Sequence, residues 1–437
     1  MHRPGKPEEA GDGARSSAHR DSGAAGAAVT ELALGAPKPM RSPKRNHGVN
    51  PMLHRPNIEE SRIDADAAKV VRRLNSQGYE AYLVGGCVRD LLLNRAPKDF
   101  DVATSALPED VRAVFRNSRV IGRRFRLVHV LFSRGKVIET ATFRRPPSAD
   151  TRGAEPRTGA SADEELLIRS DNVFGCADED ALRRDFTINA LFYDVQRREV
   201  LDWCGGMEDI ERRVVRTIGE PVVRFMEDPI RILRAIKFSA RLDLGIEPEV
   251  WHAMVQCRNA LTLAAKPRLF EELLRLMRGG AAQRSVWLMW ESGVLDVLLP
   301  ELASYLADRK ETDRTSWLLL RQVDDLTKKR GEPVDDVVLW GALLLEPLLE
   351  ACAGSHDWGL SAQEFLDPIA ERLNVPRRIS DALRRIVCAL PRIDAGQSSR
   401  FARSHIYTQA LELLQMRREA DPDAILPAPR RKRRRAS

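Results

Sequence analysis

The stretch Tyr82 to Val102, YLVGGCVRDLLLNRAPKDFDV, constrains the fold more than any other part of the chain. Tyr82, Leu83 and Val84 read as a short apolar strand, Gly85-Gly86 as a turn, and Cys87 to Leu93 as a helix. Without Cβ atoms the glycine pair lets the backbone approach a ligand closely. The following helix N-terminus offers free N–H groups to phosphate, and Arg89, about one turn in, adds a charged fork. Phe100 to Ala103 reads as the next strand. Asp99 and Asp101 are expected to share one face of it, because residues i and i+2 of a strand point the same way. Two carboxylates about 4 Å apart repel by roughly 4 kcal/mol at an effective dielectric of 20, so the pair predicts compensating cations. Magnesium suits it, since that ion takes a few carboxylates together with substrate phosphates. The plainer readings are a tight turn and two solvated aspartates at a strand end.

Three further stretches carry chemistry. In KVIETATFR, Glu139 follows Val137 and Ile138 on an apolar strand, where a carboxylate is unusual unless it faces a site. Three acids on adjacent strands could hold two metal ions, one activating an attacking hydroxyl and one stabilising leaving pyrophosphate. In EDALRRDFTINAL (Glu179 to Leu191), Arg183, Arg184 and Asp185 follow an acidic, helix-like segment, so guanidinium groups could reach phosphate or ribose oxygens. An internal ion-pair cluster explains that segment equally well. In EDPIRILRAIKFSAR (Glu227 to Arg241), Pro229 suits a first helical turn, and Asp228, Arg231 and Arg234 recur every three residues on one predicted face. An Asp accepts from an exocyclic amine and an Arg donates to ring acceptors, so the pair can match the edge of a base. A salt-bridged solvent face is the simpler alternative.

Strand and helix signals mix over residues 62 to 143, which predicts an α/β or α+β head. The segment 144 to 168, rich in Pro, Gly and Ala, reads as a mobile loop inside that head, since strand signals resume at Leu191 to Val195. From about residue 206 the pattern is almost wholly helical, with segments near 228–241, 268–277, 285–290, 315–328, 337–349, 362–373 and 407–418. Pro347 and Pro368 weaken two of these. The expected divisions are a disordered tail over 1–57, a head over 58–205, a helical neck over 206–270, an all-α body over 271–420 and a disordered basic tail over 421–437. No apolar run approaches the roughly 20 residues of a membrane span, and no apolar N-terminal segment predicts secretion. The six cysteines and eight histidines fall into no zinc-binding spacing. Scattered thiols of this kind predict a reduced, cytoplasmic protein.

Taken together and in order, these elements resemble the class II nucleotidyltransferase family, the bacterial poly(A) polymerases and CCA-adding enzymes, over roughly residues 62 to 245. The resemblance implies an α+β fold with a small mixed nucleotidyltransferase head followed by an all-α neck and body. It assigns metal binding and catalysis to Asp99, Asp101 and Glu139, and nucleotide binding to Gly85, Gly86 and Arg89. It gives ribose contact to Arg184 and Asp185, and base reading to Asp228 and Arg231, with Arg234 on the same face. LDWCGGMEDI resembles the flexible segment between head and neck, with Asp202 and Gly206 as its markers. VIGRRFRLVHVLF, SDNVFG and SQGYEAYLVGG resemble the poly(A) polymerase branch more than the CCA-adding one.

The expected activity is template-independent addition of AMP from ATP to RNA 3′ ends, with two Mg2+ ions and release of pyrophosphate. CCA addition to tRNA is the first alternative, and an idle RNA-binding protein on the same scaffold a distant one. The run Arg430, Arg431, Lys432, Arg433, Arg434 and Arg435 supplies six of the seven excess positive charges. It predicts an RNA contact, worth a salt slope of roughly −4 on single strands. Otherwise it is a solvated tail.

Overall fold

The computed structural model describes residues 49–122, 126–145, 173–308, 315–397 and 403–427. Eight strands form one mixed sheet in the order β1-β8-β7-β2-β3-β6-β5-β4. They are β1 (Met52–His54), β2 (Ala81–Val84), β3 (Asp101–Thr104), β4 (Ser118–Ile121), β5 (Leu127–Leu131), β6 (Val137–Thr142), β7 (Phe192–Asp194) and β8 (Glu199–Asp202). Every pairing is antiparallel except β3 with β6. The helix Pro108–Val114 and strands β4 and β5 form the crossover between those two strands, which suits the long connection that parallel pairing needs.

Alternation divides the sheet between two cores. Leu83, Val102, Val128, Val130 and Ile138 face the main core. There they meet Val70, Val71 and Leu74 of the helix Ala65–Ser76, whose N-terminus Asp64 caps by accepting from Asp66 N and Ala67 N. The other face carries Val84, Ala103 and Phe192 into a smaller cluster with Phe143, Ala177 and Ala181. Tyr82, Phe143, Phe192 and Trp203 contact one another there, with centroids 5.4–6.2 Å apart. Asp101 and Glu139 belong to this second face.

Among the described residues beyond Val215, the regular elements are helices apart from the short strand Gly245–Ile246. The helix Asp336–Cys352 is buried along most of its length, and Glu346 within it is matched by a bidentate Arg417 (2.7 and 3.1 Å).

Several expectations need correction. Residues 52–54 were expected in a disordered tail, but they pair with β8. Trp203 Nε1 donates to Val49 O at 2.9 Å and Arg55 binds Glu199, so backbone pairing and side-chain bonds from distant residues order a segment too short to show periodicity. Residues 421–427 also depart from the expected tail, since Leu426 packs on the core and Arg417 donates to Ala424 O. Pro347 and Pro368 stand inside continuous helices. The helix Arg377–Asp394, with its own internal Pro391, was not anticipated at all. Residues 1–48, most of the 144–168 loop and the run 430–435 lie outside the described residues.

Candidate active site

The site is built where β2, β3 and β6 lie side by side. Val84, the last residue of β2, is opposite Asp101, and Asp101 is opposite Glu139 across the parallel pair. Gly85 therefore leaves the sheet at the level of both acids. Its φ of +71° favours glycine, and a Cβ there would stand 3.0 Å from Arg184 Nη1. The turn runs directly into the helix Gly86–Leu92.

Asp101 is raised to about 6, first by burial and then by Glu139, with Asp99 adding to the shift and Arg184 opposing it. Glu139 is the open member of the group, its side chain 55% exposed and 3.6 Å from His129 Nε2. Asp99 departs from the expectation: β3 begins at Asp101, so Asp99 lies on the exposed approach rather than on the strand face. Asp99 still raises the Asp101 carboxyl, as Glu139 does more strongly. Among the described residues no three acidic, imidazole or thiol groups are close enough to hold an ion alone. This donor set fits magnesium, which binds one or two carboxylates and takes its other ligands from water and substrate phosphates. A half-buried acid raised by acidic neighbours is also where a divalent cation gains most.

Arg184 is held beside the glycine turn. Its Nε and Nη2 donate to Asp180 Oδ2 (3.2 and 2.9 Å) and its Nη1 to Asn189 O (3.1 Å). The guanidinium also lies over Phe192, 5.1 Å from the ring centroid. Asp180 is 2% exposed and accepts in addition from Arg183 Nε and Arg144 N. Burial pushes Asp180 up, but Arg184 and Arg183 outweigh it and hold the carboxylate below its usual range. Asp185 accepts from Phe186 N, Asn189 Nδ2 and Arg234 Nε (2.9, 3.2 and 2.6 Å). Burial opposes its ionisation, and Arg234 overrides that.

Arg89 turns inward, away from the expected phosphate role. It is buried, bonded to Asp90 (2.9 and 2.6 Å) and Asn189 (2.6 Å), and packed on Phe238. Arg234 shares that ring from a centroid distance of 5.4 Å. The predicted common face of Asp228, Arg231 and Arg234 is also revised. The helix is Ile230–Leu242, so Asp228 precedes it. Asp228 makes a fork with Arg268 (2.9 and 2.7 Å). Arg231 is buried and donates to Glu227 Oε2 and Arg224 O. Arg224 in turn donates to the backbone oxygens of Arg183 and Arg184 (2.9 and 2.6 Å), which joins the Arg183–Asp185 segment to the one that leads into the helix Ile230–Leu242. Asp202 caps the helix Gly206–Arg212 by accepting from Met207 N, and Gly206 packs on Thr187 O, where a Cβ would be 2.3 Å away.

Sequence reasoning passed over Asp180, Arg224 and Arg268. Asp180 left a signal, because Arg183 and Arg184 follow it at the i+3 and i+4 spacing of helical ion pairs. The contacts of Arg224 and Arg268 are about 40 residues away in sequence and left none.

A family model described as "Poly A polymerase head domain" matches residues 81–216. A second, "Probable RNA and SrmB- binding site of polymerase A", matches residues 243–306. Poly(A) polymerase I of Escherichia coli O6:H1 is 36% identical over 411 residues, 91% of this chain and 85% of that protein. The CCA-adding enzyme of Geobacillus stearothermophilus is 38% identical over 239 residues, 54% of this chain and 55% of its own length. Among solved structures, the Bacillus stearothermophilus CCA-adding enzyme in complex with CTP superposes with a TM-score of 0.60 at 28% identity, covering 82% of this chain and 78% of that one.

Proposed function

Because the chain belongs to the family of bacterial poly(A) polymerases and CCA-adding enzymes, we propose that it is a poly(A) polymerase, adding AMP from ATP to RNA 3′ ends without a template and releasing pyrophosphate. The observation that carries the reading is the register of Asp101 against Glu139 beside the Gly85-Gly86 turn. Poly(A) polymerase I is 36% identical over 91% of the chain, whereas a CCA-adding enzyme that covers 82% of it is 30% identical, which favours AMP addition over CCA addition.

Asp101 and Glu139, with Asp99 at the rim, would hold two magnesium ions. When bound, such ions make an RNA 3′-hydroxyl a better nucleophile and neutralise charge on the leaving pyrophosphate. The chain's own residues supply position. Gly85 leaves room for the triphosphate and Arg184 faces it with a charged fork held by Asp180. Asp185 is kept ionised and accepting, which suits a ribose hydroxyl. Asp228 and Arg231 form the base-reading pair: carboxylate oxygens accept from the exocyclic amine of adenine, and the guanidinium donates to a ring nitrogen. Cytosine offers the same donor-acceptor edge, so the nucleotide test must include it.

We divide the chain accordingly into head (49–205, including the strand Met52–His54), neck (206–270) and body (271–427). RNA would lie along neck and body, and the family match over 243–306 supports that path. Among the described residues no helix is long and apolar enough to cross a membrane. No disulfide joins the six cysteines, which supports a cytoplasmic setting. The test is to supply purified protein with ATP or CTP, on an oligo(A) primer and on a tRNA lacking CCA. Adenylate addition to the primer is the expected result. Efficient CTP use on the tRNA would overturn it in favour of CCA addition.

A further inference from the structure

The helix Arg377–Asp394 packs one side into the body through Ile379, Leu383, Ile386, Val387 and Leu390. At about 100° per residue, Arg377, Arg378, Arg384, Arg385 and Arg392 fall within an arc of about 120° on the opposite side. Arg377, Arg378, Arg385 and Arg392 are exposed. One acid, Asp381, shares the arc, and it is 3.5 Å from Arg384. Asp394 lies off the arc and pairs with Arg418. Among the described residues no carboxylate is within ion-pair distance of the other four arginines.

We propose that this face is a contact for the phosphate backbone of RNA upstream of the 3′ end, outside the matched segment 243–306. The inference rests on the reading that the chain acts on RNA. Helix stability does not account for the stripe. Arg377 and Arg378 sit in the first turn, where the helix dipole is positive and each cation costs about 0.3–1 kcal/mol. No acid stands in that turn, and Pro376 at the N-cap contributes no side-chain bond. The arrangement instead suits a polyanion. Arg378, Arg385 and Arg392 repeat every seven residues, about 10 Å apart along one line. Each presents a planar fork that matches phosphate oxygens. No aromatic residue lies on the arc, so the contact would position RNA without reading its bases. An acidic protein would meet the same charges, and the test separates the two.

The experiment measures binding of the full-length protein to labelled oligo(A), without nucleotide, across a range of salt concentrations. Arg378→Gln, Arg385→Gln and Arg392→Gln together should flatten the slope of log affinity against log salt by about 2, and each alone by about 0.7. The single variants keep the test open if the triple variant folds poorly. AMP addition at saturating primer should match the wild type, because none of the three belongs to the site. A folded variant with an unaltered slope would overturn the proposal and leave a solvated face or a protein-docking face. If the slope falls but the protein adds neither AMP nor CTP, the RNA contact stands and the enzymatic reading fails.

Discussion

Asp101 and Glu139 are direct partners across the parallel strand pair β3–β6, and Asp101 is raised to about 6, first by burial and then by Glu139. A carboxyl group whose folded pKa lies above its unfolded value of 3.8 favours the fold at low pH. That contribution is complete below about 4 and is lost as pH rises through about 6. Without divalent ions the ionised Asp101 is therefore a liability at neutral pH, on the order of 1–2 kcal/mol once partial exposure is discounted. Asp101→Asn should raise the melting temperature in EDTA at pH 7.5 and leave it unchanged near pH 4. Magnesium should then stabilise the wild type and not the variant. Equal melting temperatures at both pH values would remove the electrostatic account.

In the proposed reaction the same residue is needed for activity. Asp101→Ala should abolish magnesium-dependent primer extension while oligo(A) binding persists. In the wild type the rate should fall on the acid side near pH 6 at low magnesium, because a protonated carboxyl is a poor ligand. More magnesium should move that limb to lower pH. A variant that still extends primers at the wild-type rate would mean that the metal-binding acids have been misassigned.

Gly206 tests the packing beneath the ribose segment. A Cβ there would lie 2.3 Å from Thr187 O and 2.9 Å from Thr187 C, both backbone atoms that cannot swing aside. Gly206→Ala should cost about 1–3 kcal/mol in urea denaturation. Gly78→Ala, at a φ of +86° with open space around it, should cost about 1 kcal/mol from backbone strain alone. Similar losses in the two variants would refute the close-approach argument.

The parts of the site legible in the sequence were those governed by local spacing. Strand alternation around Val102 and Ile138 put Asp101 and Glu139 on the face opposite the main core, and the glycine pair marked the turn beside them. Asp99 was misjudged because it stands two residues before the strand begins at Asp101. Arg89 has the composition of a phosphate ligand, yet its neighbour Asp90 and the distant Asn189 draw it into the core. Nothing local could reveal that Arg268 would meet Asp228, or that Arg224 would bond backbone oxygens about 40 residues away. In the body, helical periodicity located most segments but passed over 377–394, although Ile379, Leu383, Ile386, Val387 and Leu390 carry the three- and four-residue spacing there.

Arg234 and Asp185 form a part-buried pair whose loss should be asymmetric. Arg234→Met leaves the Asp185 carboxylate without its main cation, a loss of about 3–5 kcal/mol for a buried pair. Adding Asp185→Asn should recover part of that stability without restoring activity, since the charged acceptor proposed to face the ribose becomes a neutral amide. Denaturation of the four proteins in a double-mutant cycle gives the coupling. Strictly additive losses would show that the two side chains do not depend on each other.

Asp180 offers the sharpest test of how the site is held together, because it touches no substrate in the proposed arrangement. Its carboxylate receives Arg144 N, Arg183 Nε and two donors of Arg184, which fixes Arg184 against Gly85. Asp180→Asn preserves volume and one acceptor oxygen, so it can still satisfy Arg144 N. It loses the charge and turns an NH2 group toward the arginines. Arg184 should then sample other positions, and the triphosphate should bind less well. We expect the KM for ATP to rise about tenfold, equivalent to 1.4 kcal/mol. The RNA dissociation constant should stay constant and kcat should fall less than the KM rises. A merely structural defect would lower kcat through loss of folded protein and leave the KM alone, so that pattern would reduce Asp180 to a fold-stabilising residue.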